Sequence, residues 1–330
     1  MTSEKPFLTI DEQIDKLKSR HLLFSSEENA ASLLTQYGYY EIINGYKDSF
    51  MKDPYNDDAG FKDNVAFEDI YSLFNMDRRL REDVMNTLEL FESNLRQVTA
   101  YTVAEQISDD QRIYIDRKKY RVGKKYYDKR ENKCVYPIDV LLKQMTSITK
   151  SQTNPFKHYR EHHGNIPPWI LVKKLSFGNL IWWIKLMKSA QSDIIIARML
   201  GLPYVSLVEK FPYFRDIFSS LLNLYLNYRN TAAHGGRIYN HYSEKHGLPY
   251  IELLHKEILK ISPADYRNGK GTSHFGVLVR SLALFKNKTI FTELDQTSAY
   301  HIAQYLELHP EDRQYIFDVM ELPNNFLPEK

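Results

Sequence analysis

Helical spacing dominates this chain. Between residues 69 and 107, Leu73, Leu80, Val84, Leu88, Phe91, Leu95 and Val98 recur every three, four or seven positions, the period of one buried helix face. No Pro or Gly interrupts the stretch, which predicts one long helix or two joined by a kink. Nearer the N-terminus, Thr9 precedes Ile10, Ile14 and Leu17, with Glu12 three residues after it, the signature of a capping box. SEENAASLLTQY predicts a second helix capped by Ser25 or Ser26 and ended by Gly38. YYEIINGYKDSF follows with apolar groups that must be buried, and the turn-rich DPYNDDAG at 53–60 marks a boundary.

The second half reads the same way. Pro137 opens a helix over PIDVLLKQMTSITK. PPWILVKKLSFGNLIWWIKLMKSA is apolar on most sides, which predicts burial, with Trp169, Trp182 and Trp183 in the core. Phe214, Phe218, Leu221, Leu222, Tyr225 and Tyr228 mark the core face of a helix that runs into Gly235-Gly236. Beyond a polar stretch near 240–272, three shorter helical patterns reach about residue 320. Only 112–133 breaks the rule: RIYI and KYYD are strand-like stretches around Val122-Gly123. The expected fold is all-α. A helical module covers 1–60 and a larger helical bundle 61–330, with a small basic β-hairpin or loop inserted at 112–135 and a helical extension from about 250.

Composition narrows the class. The chain has 330 residues, 43% hydrophobic and 26% charged, which excludes disorder throughout. Its one cysteine, Cys134, excludes an internal disulfide framework and a Cys-rich metal site. The N-terminal segment has no apolar core of the signal-peptide kind. The most apolar run, 177–187, contains Asn179 and Lys185 and is too short to span a bilayer. A cytoplasmic protein without a membrane partner is expected. The net charge is only +2, so any case for nucleic acid rests on local patches. Segment 112–133 is such a patch: ten Lys or Arg against three acids, with four Tyr interleaved. Lys118, Lys119, Arg121, Lys124 and Lys125 could track an RNA backbone while Tyr stacks on bases. A solvated basic loop is the alternative.

The stretch with chemistry in it is NYRNTAAHGG. Asn230 and His234 are four residues apart and share a helix face. Arg229 lies about 140° round an ideal helix from His234, within reach of its long side chain if the helix opens at Gly235. A cation, an amide and an imidazole would then meet at a helix end. That set suits RNA cleavage, in which the substrate's own 2′-OH is the nucleophile. His moves protons near neutral pH, Arg stabilises charge developing on the phosphate, and neither a metal nor another cofactor is required. By itself the Arg-Asn-x-x-x-His spacing is also what an ordinary helix C-terminus with a cation in its last turn would show.

Other residues carry two readings each. Glu92 and Arg96, one turn apart, either support the site by orienting Arg229 or the imidazole, or form a plain surface pair. Asn240 either supports the site or is a turn residue, and Arg237 is placed to hold a phosphate. His158, His162 and His163 have helix-face spacing but no Cys or Asp beside them, so a metal-free cluster is expected. GKGTSHFG at 269–276 lacks the order of a phosphate-binding loop.

Several separated segments together resemble one family. KPFLTIDEQIDKLKSRHLLF, YYEIINGYKDSF, ELFESNLR, PPWILVKKLSFGNL and YRNTAAHGGRIYN, spread over residues 5–245, are similar to the Abi-like (abortive infection AbiD/AbiF) proteins of bacterial phage defence, which carry a HEPN ribonuclease domain. The resemblance implies an all-α HEPN core with a catalytic Arg-Asn-x-x-x-His motif, here Arg229, Asn230 and His234. HEPN nucleases pair two motifs across a dimer interface; one motif per chain implies a homodimer. Some AbiF-like members, similar to proposed ancestors of RNA-guided type VI CRISPR effectors, are paired with a structured non-coding RNA. One departure is that Lys173-Lys174 stand where an acid would be expected before LSFG.

The sequence therefore leads to a metal-independent endoribonuclease of phage defence, of the abortive-infection or toxin–antitoxin type, leaving 2′,3′-cyclic phosphate ends. Its alternatives are a non-catalytic RNA-binding protein on the same fold and a protein-interaction module.

Overall fold

Short-range signals set the helix boundaries. In the computed structural model, which describes residues 7–129 and 132–327, the Thr9 hydroxyl accepts from the Glu12 amide and the Glu12 carboxylate accepts from the Thr9 amide at 2.7 Å. This reciprocal cap starts helix Ile10–Ser19. Ser26 caps Glu27–Tyr37, which ends at Gly38 with φ +87°. The longest helix, Phe67–Gln106, is unbroken over 40 residues, about 60 Å at 1.5 Å per residue. Leu73, Leu80, Val84, Leu88, Phe91 and Leu95 are buried along it, as the spacing predicts. Pro137 opens helix Pro137–Thr149. Helices Phe275–Leu282, Lys288–Leu308 and Arg313–Met320 close the described chain.

The chain divides into two compact units. The first takes in the described residues up to Asp83, Gly235–Asn240, and those from Gln296 onward; the second takes in Val84–His234 and His241–Asp295. Residue 60, expected as a boundary, lies inside the first unit. There Tyr46 packs between Phe74 and Tyr239, with ring centroids at 5.5 and 5.7 Å. In the second unit Phe91 meets Tyr225 and Phe285 edge-on, both at 4.9 Å. Burying rings of this size is the largest single source of stability a helical core has.

The fold is mostly α, with a small two-stranded antiparallel sheet, and three local expectations need correction. The hairpin pairs Tyr126–Asp128 with Lys133–Val135 and does not turn at Val122-Gly123. RIYI falls largely in the short helix Gln111–Tyr114, because Asp110 caps its amides and the Tyr114 ring is buried, its hydroxyl donating to the Ile166 carbonyl at 2.5 Å. Gly123 answers a packing demand: its φ is +75°, and a Cβ there would lie 2.9 Å from Pro137 and 3.1 Å from Leu186. Arg130 and Glu131 of the basic segment lie outside the described residues. Of the three tryptophans only Trp183 is core; Trp169 and Trp182 are 41% and 47% exposed. Helix Phe177–Leu186 buries Ile181 and Trp183 but turns Trp182 to solvent, so an all-round apolar sequence overstates its burial.

Candidate functional site

The motif helix, Tyr213–Ala233, is held at a defined rotation. Tyr225 and Tyr228 are fully buried, the Tyr225 hydroxyl meeting Ser281 at 2.9 Å and the Tyr228 hydroxyl donating to the Ser273 carbonyl at 2.7 Å. His241 bonds Asn227 at 2.7 Å and packs on the Tyr228 ring at 4.5 Å. Burial, with His274 and His246 nearby, pushes the His241 imidazole down to about 4, so it is neutral at pH 7. These contacts fix the last two turns, and the residues after Tyr228 then diverge by 100° steps.

Arg229 is half-buried and lines a cleft of about 480 Å³ with Glu89, Glu92, Ser93, Arg96 and Lys173. Glu92 and Arg96 form a largely buried ion pair, and Arg96 also donates to the Val172 carbonyl. The pair is therefore part of the cleft wall and not a surface pair. Because Glu92 is committed to Arg96, the cations left to face a ligand are Arg229 and Lys173. Neither has a hydrogen-bonding or ionic partner among the described residues. Lys174 is turned away, donating to Ser151 at 2.9 Å and lying over the Phe156 ring.

Asn230 and His234 do not line this cleft. Both are exposed. His234 caps the helix, its amide donating to the Asn230 carbonyl at 3.1 Å, and Gly235 follows with φ +74°. No described residue holds the His234 imidazole. Sequence reasoning joins all three motif residues; the structure brings Arg229 to Glu92 and Arg96, and sets Asn230 and His234 on the open end of the same helix.

Arg237 and Asn240 belong to the other unit. Arg237 donates to the Gly45 carbonyl at 2.5 Å. The segment around it depends on a residue that pattern reading missed, Asp77. This fully buried carboxylate accepts from the Ile238 and Tyr239 amides at 2.9 and 2.7 Å, from the Tyr46 hydroxyl at 2.6 Å and from Arg81 at 3.0 Å. Burial pushes its carboxyl up, against Arg81, Tyr46 and the two amides. The available signal was an acid inside an apolar helix with Arg81 one turn on.

Most charged side chains of the basic segment are exposed, but Tyr114 and Tyr120 are buried and cannot stack on bases, and part of the charge is engaged. Arg112 pairs with Asp110 and Arg117 with Asp139. Arg121 donates to the Lys185 carbonyl at 2.6 Å, and Lys125 lies over the Tyr136 ring at 5.5 Å. Lys118 and Lys124 point to solvent, Lys119 is half-buried, and Tyr126 and Tyr127 are exposed beside them.

A largely helical protein with a basic cleft beside a helix-end Arg-Asn-x-x-x-His segment is the class that fold and site define. Residues 32–240, more than half the chain, match the family model described as Abi-like protein, and the chain belongs to that family. The family name refers to abortive infection, and membership suggests a setting in phage defence. No curated protein and no solved structure matches the chain. Among the described residues no helix is long and apolar enough to cross a membrane.

Proposed function

We propose that this protein is a metal-independent endoribonuclease of the HEPN type, acting in phage defence through abortive infection or as the toxin of a toxin–antitoxin pair. One observation supports the reading above others. Arg229 opens into a cleft whose wall is stiffened by the Glu92–Arg96 pair, and five residues further on, at the C-cap of the same helix, His234 stands exposed and unheld. A phosphate drawn to Arg229 and Lys173 meets cations that no acid has neutralised.

Two chains supply one site. The His234 imidazole of one protomer takes the proton of the ribose 2′-OH. The 2′-oxygen attacks phosphorus and the bond from phosphorus to the 5′-oxygen breaks. His234 of the partner subunit returns a proton to that leaving oxygen. Both Arg229 side chains stabilise the extra phosphoryl charge, and Asn230 holds a substrate oxygen through its amide. The products end in 2′,3′-cyclic phosphate and 5′-hydroxyl. Asn240 and Arg237 are further contacts for RNA, and Lys118, Lys119, Arg121, Lys124 and Lys125 neutralise its backbone. A structured non-coding RNA that holds two motifs apart would keep the enzyme silent.

The test is cleavage of single-stranded RNA in EDTA, followed by end analysis. The parent protein is expected to cleave with those ends; His234→Ala and Arg229→Ala are expected to remain folded, bind RNA and not cleave. Activity lost in EDTA and restored by magnesium overturns the mechanism. RNA binding without any cleavage by the parent leaves a non-catalytic RNA-binding protein.

A further inference from the structure

The second unit carries a groove that the proposed cleavage site does not use. Two hollows, of about 470 and 530 Å³, are both lined by Arg198 and Lys286, so the two side chains border both parts of this groove. Each hollow is of the size that small organic groups occupy, roughly 300–1,000 Å³. Asn94 and Asn287 add amides at one end, and Leu202, Pro203 and Val205 add apolar surface at the other.

The two cations are presented differently. The Arg198 guanidinium is fixed on three sides: it donates to Thr102 at 2.8 Å and to Glu105 at 2.7 Å, and its centre lies 4.9 Å from the Tyr101 ring centroid. Its side chain still keeps 32% of its surface open. A flat, immobilised cation backed by an aromatic ring is a stacking platform. Lys286 is a free point charge. Its amide donates to the Met199 carbonyl at 2.8 Å, and its stem runs so close to Gly201 that a Cβ there would meet it at 3.2 Å. The stem is thereby pinned, while the ammonium has no partner among the described residues. Tyr101 and Tyr204 are 62% and 70% exposed nearby in the chain.

We propose that this groove binds a short single-stranded RNA segment, with a base stacked on the Arg198–Tyr101 platform and the adjacent phosphate on Lys286. Stacking on a fixed plane beside a lone cation is the chemistry of unpaired nucleotides. An acidic peptide would use the charge but not the plane. The proposal rests on the reading that this chain handles RNA, and its test separates the two.

Binding of a fluorescent ten-residue oligouridylate is measured by anisotropy against salt, using full-length His234→Ala protein so that nothing is cut. Lys286→Gln is expected to weaken binding and to reduce the log–log salt slope by about 0.7, the value for one single-strand phosphate. Arg198→Lys keeps the charge but loses the plane, so affinity is expected to fall roughly tenfold with the slope unchanged. Melting curves establish that both variants are folded. Photocrosslinking with 4-thiouridine is expected to label peptides containing Tyr101 or Tyr204. If folded variants bind as the parent does and crosslinks fall elsewhere, the groove is not an RNA subsite. If the parent binds an acidic peptide here and no RNA, the proposal also falls. If the parent binds no RNA anywhere, the underlying reading fails.

Discussion

Removing the Asp77 carboxylate is expected to release the segment that leaves the motif helix. Asp77→Ala strips an acceptor from the Ile238 and Tyr239 amides, whose residues are 0% and 2% exposed. Each buried, unsatisfied donor costs about 1–3 kcal/mol. It also leaves Arg81, only 14% exposed at the side chain, without its charge partner. Removing one member of a buried pair costs about 3–5 kcal/mol. These costs overlap, because Arg81 keeps its bond to the Tyr46 hydroxyl at 3.0 Å. A loss of at least about 3–5 kcal/mol is therefore expected, a large share of the 5–15 kcal/mol that roughly holds most domains folded. Asp77→Asn separates charge from hydrogen bonding. Its amide oxygen can still accept both backbone donors, while its NH2 group faces Arg81, so an intermediate loss is expected. Urea denaturation gives the two free energies. Amide hydrogen exchange adds a local readout: Ile238 and Tyr239 should stay protected in Asp77→Asn and lose protection in Asp77→Ala. An Asp77→Ala loss below about 1 kcal/mol, or unchanged protection at those two amides, would refute the clamp.

Replacing Lys118, Lys119, Lys124 and Lys125 together by Ala should weaken RNA binding and flatten its salt dependence. Stability should shift by about 1 kcal/mol at most, since the packing lost is the Lys125–Tyr136 contact and the partial burial of Lys119; an unchanged salt slope would move the RNA surface elsewhere. The His241 site, with its imidazole pushed down to about 4, should stabilise the protein fully above about pH 6.5, where an unfolded His is neutral. That stability is lost as pH falls through about 4, because the unfolded chain binds the proton more readily. Melting temperature against pH should flatten across this window in His241→Gln, and an identical profile would remove His241 from the account. Light scattering on active protein should give a dimer, and a strict monomer that still cleaves RNA would exclude the composite site.

The fold was legible where local energetics decide it. Thr9 with Glu12, Ser26, Gly38, Pro137 and Gly235 act within one turn of helix, so the pattern places the boundaries without tertiary knowledge. The spacing of Leu73 to Leu95 likewise fixes a buried face. The failures have the opposite cause. Strand-like RIYI became largely helical because the Tyr114 ring is needed in the core and Asp110 stands ready as a cap. Gly123 reads as a turn residue, although what it avoids is a clash with Pro137 and Leu186, contacts that only the folded chain creates. Composition places Trp182 in the core, and only the packing of its helix shows which strip is left outside.

The site divides along the same line. Glu92 and Arg96 are one turn apart, so their pairing could be anticipated; that the pair walls a cleft with Arg229 could not, because 133 residues separate Arg96 from Arg229 and 76 separate Arg96 from its Val172 partner. Lys173 shows the difference most sharply. Read as a departure from a family pattern it only subtracts an acid, yet in the folded protein it adds a cation to the cleft that Arg229 enters. With Glu92 spent on Arg96, the balance of charge facing a ligand depends on Glu89 against Arg229 and Lys173. A cleft with that balance favours an anion without any contribution from the chain's net charge of +2. Affinity for phosphate here is a property of which charges are already paired, and pairing is written in the tertiary structure.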